Sequence, residues 1–376
     1  MTETPFSISI PDEKLELLRK KLELTTLPDE LEDSGWKYGV PLGDIKRLVA
    51  RWKDGFDWRA QEAILNEELP QFTRDIQVQG HGTLNIHYVH QKSPVVDAIP
   101  LLFIHGWPGS FIEVRKILPL LTASSPDYPS FHVVALSLPG YGFSQATKKQ
   151  GFKTGQHAEV GNKLMVSLGY DKYVTQGGDW GAIITRKLSS VYGGAHSQAW
   201  HSKAPDYLPT SFISPTHAYA LYGNRKVRIT TNQMTIGYSL ADSPVGLLSW
   251  IYEKLVNWSD SYPWDDDEGD VDLGIHLLSE DRVLTKEPTI PLGLSYFPKE
   301  VRCYPRLWSL TEGNLVFESE HTSGGHFAAH EKPHELVDDL RKMFGKDGPA
   351  FGVVPGRTVL VTHVGPPEDP VSHKNP

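Results

Sequence analysis

Gly177-Gly178-Asp179-Trp180-Gly181 has the frame Gly-x-nucleophile-x-Gly, with aspartate at the central position. Tyr173-Val174-Thr175-Gln176 before it reads as a short buried strand, and Ala182 to Leu188 after it as a helix. A sharp strand-to-helix turn leaves no room for side chains around its centre, so small residues flank the aspartate. A carboxylate presented there attacks carbon and forms an ester with the enzyme. That chemistry suits an electrophilic sp3 carbon, as in an epoxide or an alkyl halide, better than an amide. On these five residues alone, a Gly-rich turn with a solvated Asp competes with the nucleophile reading.

A nucleophile of this kind needs a base and an oxyanion hole. Ser323-Gly324-Gly325-His326-Phe327 lies just before the last predicted helix. The nucleophile–acid–base order of elbow folds puts the base there, which singles out His326 from 16 histidines. The second ring nitrogen needs an orienting carboxylate. Glu300, just after Phe297-Pro298-Lys299, is the choice; Glu280 and Asp281 compete but read as lid surface. An exposed acid at a helix start is the other reading of Glu300. Backbone N–H groups of Trp180, in the elbow, and of Trp107, in the turn after Ile104, suit the oxyanion hole. Pro108 has no N–H to offer. The two indoles also fit a pocket lining or plain core packing.

These residues need a frame to hold them. Between about 99 and 200 the chain alternates strand and helix: Ile99 to Ile104, a helix from Phe111 to Leu121, Val133 to Ser137, a helix from His157 to Leu168, then the elbow strand. Such alternation predicts a parallel sheet covered on both faces, with sites at the carboxyl ends of the strands. The Gly-rich turns at 105–110, 139–144 and 177–181 all fall at such ends. Residues 1–90 read as an N-terminal helical region that ends in a strand over Gly82 to His90. Residues 91–204 and 291–355 read as the two parts of the α/β core, and 205–290 as an inserted lid with one clear apolar helix, Val245 to Leu255. Trp264 to Asp270 reads as a solvated loop, Gly293 to Phe297 and Leu315 to Ser319 as strands, His334 to Phe344 as a helix, and 356–376 as a loose tail.

The composition is that of an ordinary globular protein: 376 residues, 39% hydrophobic, 22% charged and net charge −9. No basic stripe points to nucleic acid. Cys303 is the only cysteine, which excludes an intrachain disulfide and any C-x-x-C metal site. No apolar run approaches the roughly 18–20 residues that span a bilayer. The first residues show no signal-peptide pattern, so a cytoplasmic location is expected. No metal or organic cofactor is expected, and a homo-oligomer is left open.

With these residues in place, the chain resembles the microsomal-type epoxide hydrolases of the α/β-hydrolase superfamily, over roughly residues 5–350. The resemblance rests on Trp36, Gly39, Phe56-Asp57-Trp58-Arg59, Leu69-Pro70-Gln71-Phe72, His105 to Ser110, Gly177 to Gly181, Asp242 to Leu247, Phe297 to Glu300 and Gly324 to Ala329. It implies an α/β-hydrolase fold with Asp179 as nucleophile, Glu300 as acid and His326 as base, the roles reached above. Without the membrane anchor of the mammalian members, a soluble fungal or bacterial type is expected.

The resemblance also implies two lid tyrosines that hold and protonate the epoxide oxygen, and here the chain departs from it. Arg225 stands where one would be, and Gly269 to Pro291 contains no tyrosine. The lid reads as shortened. Tyr222 and Tyr238 are the candidate proton donors, with Tyr219 a third. General acid help is worth about 100- to 10,000-fold. The sequence therefore predicts hydrolysis of an apolar or aryl epoxide to a vicinal diol through an Asp179 ester, with the epoxide and water as its partners. A dehalogenase on the same core, or a non-hydrolytic binder or biosynthetic cyclase or isomerase, is the alternative.

Overall fold

The computed structural model describes residues 3–204, 233–264, 287–301 and 306–357. Strands β1 (Thr4–Pro5), β2 (Gln71–Val78) and β3 (Gly82–Gln91) pair antiparallel and continue antiparallel onto β5 (Phe131–Leu136). From β5 the sheet is parallel, through β4 (Ile99–Ile104), β6 (Tyr173–Gly177), β7 (Ser197–Ala204), β8 (Pro291–Tyr296) and β9 (Asn314–Glu320). The order is β1-β2-β3-β5-β4-β6-β7-β8-β9. Every parallel strand thus delivers its carboxyl end to the same edge, where the turns after β4, β6, β8 and β9 carry Trp107, Asp179, Glu300 and His326.

Side-chain alternation along β4 builds the two halves of the core. Leu101 and Phe103 join Phe131, Val133, Leu336, Leu340 and Phe344 on one face. Leu102 and Ile104 join Val134, Leu136, Leu164, Ile184 and Leu188 on the other. Each fully buried side chain of this size stabilises the fold by about 1.5–3 kcal/mol relative to exposure. Helices α1 (Asp12–Glu23), α2 (Leu42–Asp54) and α3 (Trp58–Glu68) form before the sheet, and α4 (Leu118–Thr122), α5 (Thr154–Ser167) and α6 (Trp180–Tyr192) lie between its strands. The segment read as lid supplies α7 (Gln233–Asp242) and α8 (Pro244–Trp258), and α9 (Ala328–Glu331) and α10 (Pro333–Phe344) follow β9. The Ser243 hydroxyl caps α8 by accepting the Gly246 N–H at 2.9 Å. Among the described residues no helix is long and apolar enough to cross a membrane.

Three expectations change. Residues 1–90 hold more strand than expected: β1 and β2 join the strand expected over Gly82 to His90 in the main sheet, and a boundary at 90 would cut β3 one residue before its end. Only Ile76 and Val78 mark a buried face at the end of β2, so pairing with β3, not local pattern, makes it a strand. The predicted helix over Phe111 to Leu121 is broken into a 3-10 turn at Phe111–Val114 and α4. Pro119 has no N–H for the Arg115 carbonyl, and its ring would clash there in a continuous helix. Trp264, read as part of a solvated loop, donates its indole N–H to the Leu255 carbonyl at 2.9 Å and packs on Phe327. Most of the tail beyond 356 and most of the residues read as lid lie outside the described residues.

Candidate active site

Asp179 sits between β6 and α6 with φ 51° and ψ −122°, a conformation that side-chain-bearing residues rarely adopt. The surrounding backbone holds it there. A Cβ on Gly181 would lie 1.9 Å from the Ile104 carbonyl oxygen, so only glycine lets the elbow pack this closely on β4. A Cβ on Gly106 would lie 2.5 Å from Asp179 Cβ. The glycines of the motif are thus matched to backbone and nucleophile across the turn.

The two carboxylate oxygens of Asp179 have different surroundings. Oδ1 accepts the Trp107 backbone N–H at 2.9 Å. Oδ2 lies 3.7 Å from His326 Nε2. That distance is too long for a hydrogen bond. Trp180 opens α6, so its N–H stands at the helix N-terminus, in the same turn as Asp179.

His326 and Glu300 come from turns that the sheet brings side by side. Lys299 bridges Gly325, and the Lys299 N–H donates to the Gly324 carbonyl at 3.0 Å. Glu300 Oε1 then takes the His326 Nδ1 hydrogen in a short contact, which fixes the ring with Nε2 toward Asp179. Both side chains are buried, 7% exposed each. Burial pushes the Glu300 carboxyl up, but Lys203 and His326 beside it outweigh that and hold it well below the usual carboxylate range. The His326 ring also stands edge-on to Trp258 at 5.0 Å.

Two further charged groups belong to this centre, and neither stands out in the sequence. Lys203, at the end of β7, places Nζ 2.6 Å from Glu300 Oε2. The contact is an ion pair without aligned hydrogen-bond geometry. Its only sequence signal is the run Gln198 to Lys203, which follows a helix in an alternating series and so invites a further strand. Glu113, in the turn after β4, lies against Gly109, where any side chain would overlap its carboxylate. Burial and the nearby Asp179 push the Glu113 carboxyl up to about 7, against the pull of Lys203 and the Gly106 amide.

Trp107, Trp250, Trp258, Trp264 and Phe327 form the aromatic and apolar side of the site, with Leu247, Ile251 and Leu255 of α8 behind them. Tyr238 is not brought to the triad: on α7 it is 76% exposed, with its phenol toward solvent. Tyr219, Tyr222 and Arg225 lie outside the described residues, as do Glu280 and Asp281.

Comparisons with known proteins agree with this frame. The model of the epoxide hydrolase N terminus matches residues 3–114, and that of the alpha/beta hydrolase fold matches residues 99–213. A protein of Stigmatella aurantiaca whose name assigns it to the epoxide hydrolases is 34% identical over 91% of this chain and 84% of its own. Epoxide hydrolase 1 of Sus scrofa is 31% identical over 91% of this chain and 88% of its own. The structure of Aspergillus niger epoxide hydrolase matches with TM-score 0.74 and 32% identity over 90% of this chain and 95% of that one. Likeness of this extent, over nine-tenths of the chain, means that the chain belongs to the epoxide hydrolase family.

Proposed function

We propose that this protein hydrolyses apolar or aryl epoxides to vicinal diols through an ester on Asp179. The observation that carries the reading is the division of labour at that carboxylate: Oδ1 is held by the Trp107 N–H while Oδ2 is free of direct hydrogen-bonding to the base 3.7 Å away. Oδ2 attacks a ring carbon, the C–O bond breaks, and the ring oxygen leaves as an alkoxide that takes a proton. The ester carbonyl oxygen is then Oδ1, already in its hole. His326 removes a proton from water, the water oxygen adds to Cγ, and the Trp107 and Trp180 N–H groups hold the oxyanion. Collapse breaks the Cγ–Oδ2 bond; the departing diol oxygen takes the proton held by His326, and the proton of the new carboxyl returns to the phenolate, which restores the carboxylate. Water and epoxide are consumed in equal amounts, with no cofactor. The proton for the alkoxide is assigned to a lid phenol, Tyr222 or Tyr219 being the remaining candidates of the three named above.

The test is the intact mass of the His326→Ala variant after mixing with styrene oxide. A mass gain equal to the epoxide, absent when Asp179 is also replaced by Asn, supports the reading. A folded variant that gains no mass from the epoxide, but gains one alkyl group and releases one halide from a haloalkane, moves the function to dehalogenation.

A further inference from the structure

The carboxyl end of β7 delivers a buried cation to the triad. Only 5% of the Lys203 side chain is exposed. Its stem runs beneath the elbow, where a Cβ on Gly178 would lie 3.3 Å from Lys203 Cε. Nζ reaches the Glu300 oxygen that His326 does not use, at 2.6 Å, and also donates in a short contact to the His326 backbone carbonyl. One ammonium thus grips both partners of the base.

We propose that Lys203 is a fourth, positioning member of the Asp179–His326–Glu300 set, which shares the charge of Glu300 with the imidazole and fixes the loop that carries it. The proposal rests on the hydrolytic reading above. A buried lysine costs several kcal/mol in lost hydration and persists only where its partners offset that. A lone Glu300 carboxylate would give its whole charge to the imidazolium and favour the protonated, idle form of the base. With Lys203 on the second oxygen, part of that field is cancelled, and Glu300 stays ionised whether or not His326 carries the extra proton. The grip on the His326 carbonyl keeps Nε2 aimed at the water beside Asp179 Cγ. Ester formation needs neither effect; ester hydrolysis needs both.

Several other groups share this field. Asp179 faces His326 from the elbow at 3.7 Å, and Glu113 acts from the turn after β4 on both Asp179 and Lys203. On the far side of the loop, Glu331 accepts the Phe327 N–H at 3.0 Å and Asp260 accepts the Gly324 N–H at 2.9 Å. Lys203 is the cation that contacts the set directly among the described residues.

The experiment follows formation and decay of the ester by rapid quench and intact mass, with styrene oxide, from about pH 5 to about pH 9. Wild type, Lys203→Met and Lys203→Arg are compared. In Lys203→Met the acidic limb of ester decay moves to higher pH by about one unit or more, as loss of a unit charge within a few ångströms requires. Ester formation stays within about threefold, less than the 1.4 kcal/mol that a factor of ten represents. Lys203→Arg keeps the wild-type limb. A Met profile that superimposes on wild type, or falls by one factor at every pH, overturns the proposal and leaves Lys203 a packing role. If neither Lys203→Met nor Lys203→Gln melts cooperatively, Lys203 is a counter-ion of the fold, and the proposal is equally overturned. A wild type that forms no ester from the epoxide instead refutes the hydrolytic reading itself.

Discussion

The backbone N–H of His326 donates to the Trp258 carbonyl at 2.7 Å, so the loop that carries the base is tied to the last residue of the lid helix α8. The joint is reinforced on both sides. Glu331 accepts the Asp260 N–H at 2.8 Å and the Phe327 N–H at 3.0 Å, and Asp260 in turn accepts the Gly324 N–H. Helix α8 and the His326 loop are therefore held as one unit.

Glu331→Ala should weaken both. It leaves two N–H groups without their acceptor, at about 1–3 kcal/mol each where water cannot replace it. Urea unfolding should show a loss of about 2–4 kcal/mol, and turnover should fall with it. Lost stability with unchanged turnover would mean that the Trp258 bond holds the loop alone.

Glu113 should make stability depend on pH. Its folded-state carboxyl is raised to about 7 from the ordinary 4.5, chiefly by burial. Between those values the folded protein keeps a proton that the unfolded chain has released, so stability falls as pH rises from about 4.5 through about 7 and then levels off. Glu113→Gln removes this contribution. Relative to wild type, the variant should gain about 3 kcal/mol on going from pH 4.5 to pH 8, from the linkage of a shift of this size. Parallel thermal melts of the two proteins that keep a constant offset across that range would show that Glu113 does not titrate there.

Gly106→Ala should disable the nucleophile while sparing most of the fold. The added Cβ would meet Asp179 Cβ and Oδ1 at 2.5 Å. The carboxylate must move off the Trp107 N–H, and a displacement of about 1 Å costs on the order of 100-fold in rate. Single-turnover ester formation is the measurement. A folded variant with wild-type rates would show that the elbow yields without harm.

Trp250→Ala should act on binding. Its ring packs on Trp107 at 5.1 Å with a tilt of 52°. Loss of this wall should raise KM for an aryl epoxide by about tenfold with kcat little changed, as for a contact made equally in ground and transition states. An equal fall in kcat would instead mean that Trp250 positions the Trp107 N–H.

The turn at Asp179, the meeting of Asp179, His326 and Glu300, and the parallel core were legible because their signals are local. The glycines around Asp179 record a backbone that must approach Ile104, and apolar runs such as Leu101 to Ile104 record burial on both faces. His326 and Glu300 followed from their places after successive strands. The lid tyrosines were less legible: the exposed face on which Tyr238 sits depends on how α7 docks, which a ten-residue helix of mixed character does not declare.

What the chain determined by itself is thus which residues were candidates for the site and which strands carry them, since residue type and short-range spacing decide both. Tertiary structure decided the electrostatics. That Lys203 meets Glu300, that Glu113 feels Asp179 and Lys203, and that α8 grips the His326 loop all follow from neighbours far apart in sequence. A charge acts on whatever lies within a few ångströms of it, and only the parallel register of β7, β8 and β9 sets that distance for the base.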